Sequence, residues 1–317
     1  MKNPTLNATS LKNFIFDKAI LIMLFIFIFA MSLIKPVFYK WDNVINILNE
    51  LTVYGITACA MTVAIIAGEF DLSASSVFAW STVLFVSMTN RLGLLPGFLI
   101  TIASGIAWGI LNGWLVAKVK MSAFVVTLGT MTVIKGFAFF YTDGVPINTA
   151  NRTLQAIGAF NVGGIMITPI AFVLVFSIFA FFLDRTRFGR NLYATGGNRE
   201  VAHLTGINVD FYKFIIFVIL GICASLSAVL FCVRIHAGSA LYGGDLSLYC
   251  VAATVIGGTS LSGGNGGVAR TLIGLLVMSV LFNALTLLGV QGYFQQLIRG
   301  IVLISIIMID ASINRKG

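Results

Sequence analysis

Apolar runs separated by short polar or basic segments fill most of the chain, at about residues 19–34, 51–68, 72–89, 97–117, 123–141, 166–183, 213–233, 248–262, 268–288 and 296–311. Strand-like alternation is not seen. A helix needs about 20 mostly apolar residues to cross a hydrocarbon core of ~30 Å. In that medium every backbone group must be paired within its own segment, which leaves helices as the choice. The pattern therefore predicts an all-α polytopic membrane protein of about ten transmembrane helices, with residues 1–317 forming one transmembrane domain. Composition agrees: 58% hydrophobic and 10% charged residues, with a mean hydropathy of +1.00, exclude a soluble globular class.

Charge sets the orientation. With residues 1–18 cytoplasmic, the inside segments hold Lys2, Lys12, Lys18, Lys118, Lys120, Arg185, Arg187, Arg190, Arg199, Lys213, Arg270, Arg315 and Lys316. The outside segments hold only Lys35, Lys40, Arg91, Arg152 and Arg234. This bias predicts that both termini are cytoplasmic. It also accounts for the net charge of +9 without nucleic acid as a partner. The first apolar run follows Lys12 and Lys18 but lacks a small-residue cleavage site, and is expected to be a retained span. The four cysteines form no Cys-x-x-Cys pair and are expected to be packing residues. "ILNGWLVAKV" around Asn112 echoes "LFNALTLLGV" around Asn283, in helix pairs that would run in opposite directions, as an inverted repeat would, while a competing echo of Gly68, Leu72 and Ser73 in Gly257, Leu261 and Ser262 uses another offset.

Two longer segments lie outside the spans: a polar outer loop at 142–165 and a basic central loop at 184–212. The central loop reads "DRTRFGRNLYATGGNREVAHLTGINVDFYK". Asn198 suits an N-cap, Glu200 the first helical turn, and Gly206 a left-handed stop, so "REVAHLT" is predicted to be about two turns of helix. So short a helix is not stable alone, and something should hold it. His203 on it is expected to be a solitary surface histidine.

At this stretch the chain resembles permease subunits of the monosaccharide branch of bacterial ATP-binding-cassette importers, the ribose and arabinose type. The resemblance extends in order through "GEFDLSASS", the central loop, "VIGGTSLSGGNGGV" and "YFQQLIRGIVLISIIMID". One departure is "SASS" where the family has a Val-Gly-Ser run. The resemblance implies a pentose or other monosaccharide importer in the bacterial inner membrane, with a nucleoside or other small-solute permease of the same class as the alternative. Its expected partners are a cytoplasmic ATPase, a periplasmic sugar-binding protein and a second permease copy or paralogue. ATP and Mg would be held by the ATPase, with no cofactor on this chain. It also implies a role in coupling to the ATPase for Gly196, Gly197, Asn198, Glu200, Ala202 and Gly206.

Other candidates come from the residues themselves. Glu69 and Asp71 are carboxylates at a break between two apolar runs, where a charge is costly unless it has a use. Glu69, Asp71 and Ser73 read either as a structural cap, with Asp71 capping the following helix, or as a functional part that lines a gate or contacts the ATPase. Lys135 and Arg299 lie within spans, either snorkelling to the interface or facing the path and pairing with an acid. Asn112, Asn283, Gln295, Gln296, Trp80, Trp108 and Tyr249 are of the type that lines a sugar path. "GGTSLSGGNGG" lacks the Gly-Lys-Ser/Thr of a phosphate loop and reads as a tight turn with close helix packing. With two distant histidines and no acidic cluster beyond Glu69 and Asp71, the constellation an enzyme needs is missing. Titratable groups at mid-membrane, which an ion-coupled carrier would use, are sparse.

Overall fold

The computed structural model describes residues 8–162 and 165–314. Residues 1–7 of the predicted cytoplasmic N-terminal segment and the basic tail at Arg315 and Lys316 lie outside it, as do the side chains of Lys12, Lys18 and Asp310. The described chain is helical almost throughout. In order it forms α1 (Ala8–Ile34), a 3-10 turn (Pro36–Tyr39), α2 (Trp41–Ile66), α3 (Ala74–Leu92), α4 (Leu94–Ala117) and α5 (Ala123–Thr142). The segment after α5 carries β1 (Ile147–Asn148), α6 (Arg152–Ala159), β2 (Asn161–Val162) and β3 (Ile165–Met166). Then come α7 (Ile167–Arg185), α8 (Arg187–Gly197), α9 (Arg199–Leu204), α10 (Val209–Ile235), β4 (Ala237–Gly238), α11 (Leu246–Ile256), α12 (Val268–Leu287) and α13 (Gly292–Asn314).

Among the described residues, six helices are long and apolar enough to cross a membrane: α2, α4, α5, α7, α10 and α12. The shortfall from about ten has physical reasons. The apolar stretch of α1 is short, Ile20–Ile34. α3 is diluted by Ser75, Ser76, Ser81, Thr82, Ser87 and Thr89, all of them buried, so this helix is surrounded by protein and need not be apolar. α11 corrects the expected span 248–262. It stops at Ile256, before the Gly257–Gly258 turn, and its 11 residues cover only ~16 Å, about half of a bilayer core. α2, in turn, starts ten residues earlier than its apolar run, because the polar first turns of "WDNVINILNE" are helical as well.

The central helices are α2 and α10, with α10 packed on α4, α3 and α2. From Leu51 to Ile66 every residue of α2 except Tyr54 is buried, as expected of a helix apolar on all sides. α4 meets α10 through Gly105, Gly109 and Gly113, one small residue per turn. A Cβ on Gly109 would stand 2.5 Å from the Phe217 carbonyl and one on Gly113 2.7 Å from that of Phe214. Such stripes let backbones approach where no solvent drives association.

The polar loop at 142–165 has more structure than its polarity suggested. β1 pairs antiparallel with β4, Ile147 opposite Gly238. Asn151 caps α6 by accepting the Leu154 amide, and Leu154 is fully buried. The central loop also holds two helices rather than one. α8, amphipathic and begun by a Thr186 cap on Gly189, seats Leu192 in the core.

Candidate functional site

Two helices begin inside the bundle, and their first turns meet. Ser75 of α3 and Ser247 of α11 bond reciprocally: the Ser75 amide donates to Ser247 Oγ at 2.9 Å and the Ser247 amide to Ser75 Oγ at 2.8 Å. Ser247 Oγ also donates to the Leu72 carbonyl at 3.0 Å. Each serine thus satisfies an amide that the other helix leaves orphaned at its start. The "SASS" run therefore secures by hydroxyl bonds the approach that the Val-Gly-Ser pattern would leave to a glycine.

A carboxylate stands before each of these two starts. Asp71 acts earlier than the cap position, which is Ser73. Its Oδ1 accepts the Ser73 amide at 2.7 Å and the Ser73 hydroxyl at 2.6 Å, closing an Asx-turn into α3. Asn112 of α4 backs this turn, donating from Nδ2 to Ser73 Oγ at 2.8 Å. Asp245, before α11, forms an ion pair with Arg299 of α13.

Glu69 is engaged differently. Its Oε1 lies 2.8 Å from Arg199 Nη2 and 2.8 Å from Lys213 Nζ, and Arg199 also donates to the Gly68 carbonyl at 3.1 Å. Glu69 is 8% exposed, Lys213 15% and Arg199 49%. The break after α2 is thereby tied to the first residue of α9 and to the base of α10.

The local grammar of α9 is as its sequence indicates. Asn198 Oδ1 accepts the amides of Glu200 and Val201, both at 3.0 Å, and Gly206 ends the turn at φ +82°. It is held by α8, which contacts it and itself rests on the glycine turn. The Gly264 amide donates to the last carbonyl of α2, at Ile66, at 2.7 Å. A Cβ on Gly196 would collide with that same carbonyl, whereas Gly197 has Gly264 Cα no nearer than 4.0 Å. Tyr193 of α8 donates to the Gly266 carbonyl at 2.9 Å. "GGTSLSGGNGG" is accordingly a packing turn under α2 and α8. Ala202 points inward and is buried, while Val201 and Leu204 of α9 are 54% and 84% exposed. Beside α9 a cavity of about 620 Å³ is lined by Lys120, Arg199, His203 and Asp210. Glu200 and His203 are exposed, and among the described residues no group of His, Cys, Asp or Glu could hold a metal. All four cysteines are buried and free.

The residues of path-lining type do not converge on one channel. Asn112 is buried in the Asp71 turn. Asn283 forms a reciprocal carboxamide pair with Asn43 of α2, at 2.9 and 2.8 Å, so the two echoing asparagines sit in unlike surroundings. Gln295 folds onto its own turn, donating to the Val290 carbonyl at 2.8 Å. Trp80 donates to Ser104 Oγ at 2.8 Å and Trp108 packs on Phe137. Lys135 is exposed and in no ion pair among the described residues. Arg299 turns inward, its guanidinium 4.4 Å from the Phe282 ring centre and 5.8 Å from that of Tyr249. With Asp245 and Gln296 it lines a cavity of about 270 Å³. The sequence pattern did not single out Arg199, Lys213 or Asp245 as partners of the flagged residues.

Apolar helices, two of them starting inside the bundle, with a short braced helix displayed at one pole, describe an integral membrane transport subunit. The chain belongs to the family described as branched-chain amino acid transport system / permease component, which it matches over residues 43–307. It is 37% identical to the ribose import permease protein of Bacillus subtilis over 90% of both chains, and 36% identical to that of Haemophilus influenzae over 100% of this chain and 99% of the other. It is 31% identical to the L-arabinose transport system permease protein of Escherichia coli, over 93% of this chain and 91% of the other. No solved structure gives a significant match.

Proposed function

We propose that this chain is the membrane subunit of an ATP-driven importer that carries a monosaccharide, with a pentose as preferred cargo, across the bacterial inner membrane. The names of the ribose and arabinose relatives support the cargo. The observation that carries the mechanism is the display of α9, which is too short to stand alone. It is braced by Glu69 and by the Gly196–Gly264 packing, yet presents Val201 and Leu204 outward. An exposed apolar pair on a braced helix suits a groove on a cytoplasmic ATPase, which would hold ATP and Mg.

Motion of that ATPase would reach α9 first. From Arg199 it would pass through Glu69 to the break after α2, and from there to the paired starts of α3 and α11. Gly196, Gly197, Asn198, Glu200, Ala202 and Gly206 would act in this coupling through their packing and capping. Glu69, Asp71 and Ser73 would act as the hinge. A periplasmic sugar-binding protein would deliver the cargo, and a second copy or a paralogue would complete the path. In this arrangement α1, α3, α11 and α13 complete about ten membrane segments, with both termini cytoplasmic. Uptake of labelled pentoses and hexoses by the source cells, with and without the gene, tests the reading. Loss of one sugar, restored by the intact gene, is expected; no loss for any sugar contradicts it.

A further inference from the structure

At the pole opposite α9, a cavity of about 380 Å³ opens between the start of α2 and the ends of α10 and α12. Arg234 lies 21 residues along α10 from Lys213, so roughly 30 Å separate it from the Glu69 clamp. The lining includes Asn46, Glu50, Tyr54, Arg234 and Asn283.

Glu50 and Arg234 face this one space, and among the described residues neither makes an ion pair. A carboxylate and a guanidinium drawn into an apolar bundle ordinarily pair with each other or with a neighbour. Here neither side chain makes a hydrogen bond among the described residues; each lines the cavity and feels the other's charge without closing an ion pair. Around them stand the rigid Asn43–Asn283 carboxamide pair and Tyr54, whose ring is fixed by stacking on Tyr249 at 4.0 Å between centres. Acceptors, donors and an aromatic wall, with a net charge near zero, match a neutral solute that carries hydroxyls around an apolar ring face.

We infer that this cavity is an outer sugar subsite, in which Glu50 and Arg234 bond the hydroxyls of a monosaccharide on its way inward. The inference rests on the importer reading and adds to it a place on this chain where the sugar is held.

The test uses the full importer in its native membrane. Uptake of labelled D-ribose and L-arabinose is measured for the intact chain and for Glu50→Gln and Arg234→Gln at matched protein levels. Loss of a charge-assisted hydrogen bond should lower uptake of the cargo sugar roughly tenfold in each variant. Because a variant can fail by misfolding, a second readout uses Asn46→Cys, an exposed position in a chain whose own cysteines are buried. The cargo sugar should slow its labelling by N-ethylmaleimide, and adding Glu50→Gln should abolish that protection. Wild-type uptake in both charge variants, or labelling indifferent to the sugar, overturns the subsite while leaving the importer reading intact. Protection by L-leucine and by neither sugar also overturns it, in favour of a zwitterion site. Failure of the intact chain to take up any sugar removes the importer reading, and the subsite with it.

Discussion

Glu69 and Arg199 are 130 positions apart in the chain and 2.8 Å apart in the fold. This contact joins the break between α2 and α3 to the first turn of the displayed helix α9. Lys213 joins the same carboxylate from α10, so one acid ties three segments together.

The two cations are not equal partners. Arg199 is half-exposed, and an ion pair of that kind contributes less than ~1 kcal/mol. Lys213 is largely buried, and removing its counter-charge leaves a cation uncompensated, a cost of about 3 kcal/mol. Glu69→Gln should therefore lower the thermal midpoint of the detergent-purified protein clearly more than Arg199→Ala, while both lower uptake. Equal midpoints for Glu69→Gln and the intact protein would show that the clamp does not hold.

For Asp71 the geometry separates charge from hydrogen bonding. Asn keeps an acceptor for the Ser73 amide and hydroxyl, so Asp71→Asn should cost under ~1 kcal/mol and retain most transport. Asp71→Leu strands both donors in a buried turn, at ~2–4 kcal/mol, and should abolish transport. An inactive Asp71→Asn at normal protein level would mean that the negative charge itself is used.

The neighbouring glycines Gly196 and Gly197 should respond unequally to Ala. Ala at 196 would drive a methyl into the Ile66 carbonyl, an overpacking cost of ~1–3 kcal/mol. Ala at 197 meets nothing nearer than 4.0 Å. Membrane levels and uptake of the two variants, measured side by side, check the packing of α8 on the glycine turn; equal tolerance would refute it.

These contacts also mark where sequence legibility ends. The capping of α9 was legible because it is local: Asn198 and Gly206 act within a few residues of themselves. The apolar runs found the helices for the same reason, since burial in lipid or protein writes itself along each segment. Hydropathy could not separate α11 from the turn that follows, because Gly257, Gly258 and Leu261 score as apolar or neutral in either structure. Nor could it see Arg199 and Lys213 around Glu69, or Ser75 bonded to Ser247, since such pairs are set by how helices distant in sequence pack. Of the residues proposed to act in transport, those of α9 came from resemblance. Those of the outer cavity became visible only once Glu50 and Arg234 shared one space.

Arg299 illustrates the same limit. Its sequence position left snorkelling and pairing both open, and the fold brings it to Asp245 with aromatic rings on its flank. Arg299→Lys keeps the charge but loses the planar stacking, worth ~0.5–2 kcal/mol, and should be milder than Arg299→Ala. Combining Arg299→Ala with Asp245→Ala should cost less than the two single effects added together. Strict additivity in thermal midpoint would contradict the pairing.

In the proposed mechanism, ATP hydrolysis on a partner, acting through α9, drives sugar through this chain. The most direct measurement is uptake of the cargo sugar by cells expressing the importer, with a protonophore under conditions that preserve cellular ATP, and separately by sealed proteoliposomes of the full importer with ATP, and with or without vanadate, trapped on the ATPase side. Uptake that survives the protonophore and is stopped by vanadate is the predicted result. Uptake that collapses with the proton gradient and ignores vanadate would contradict the account and make the chain an ion-coupled carrier.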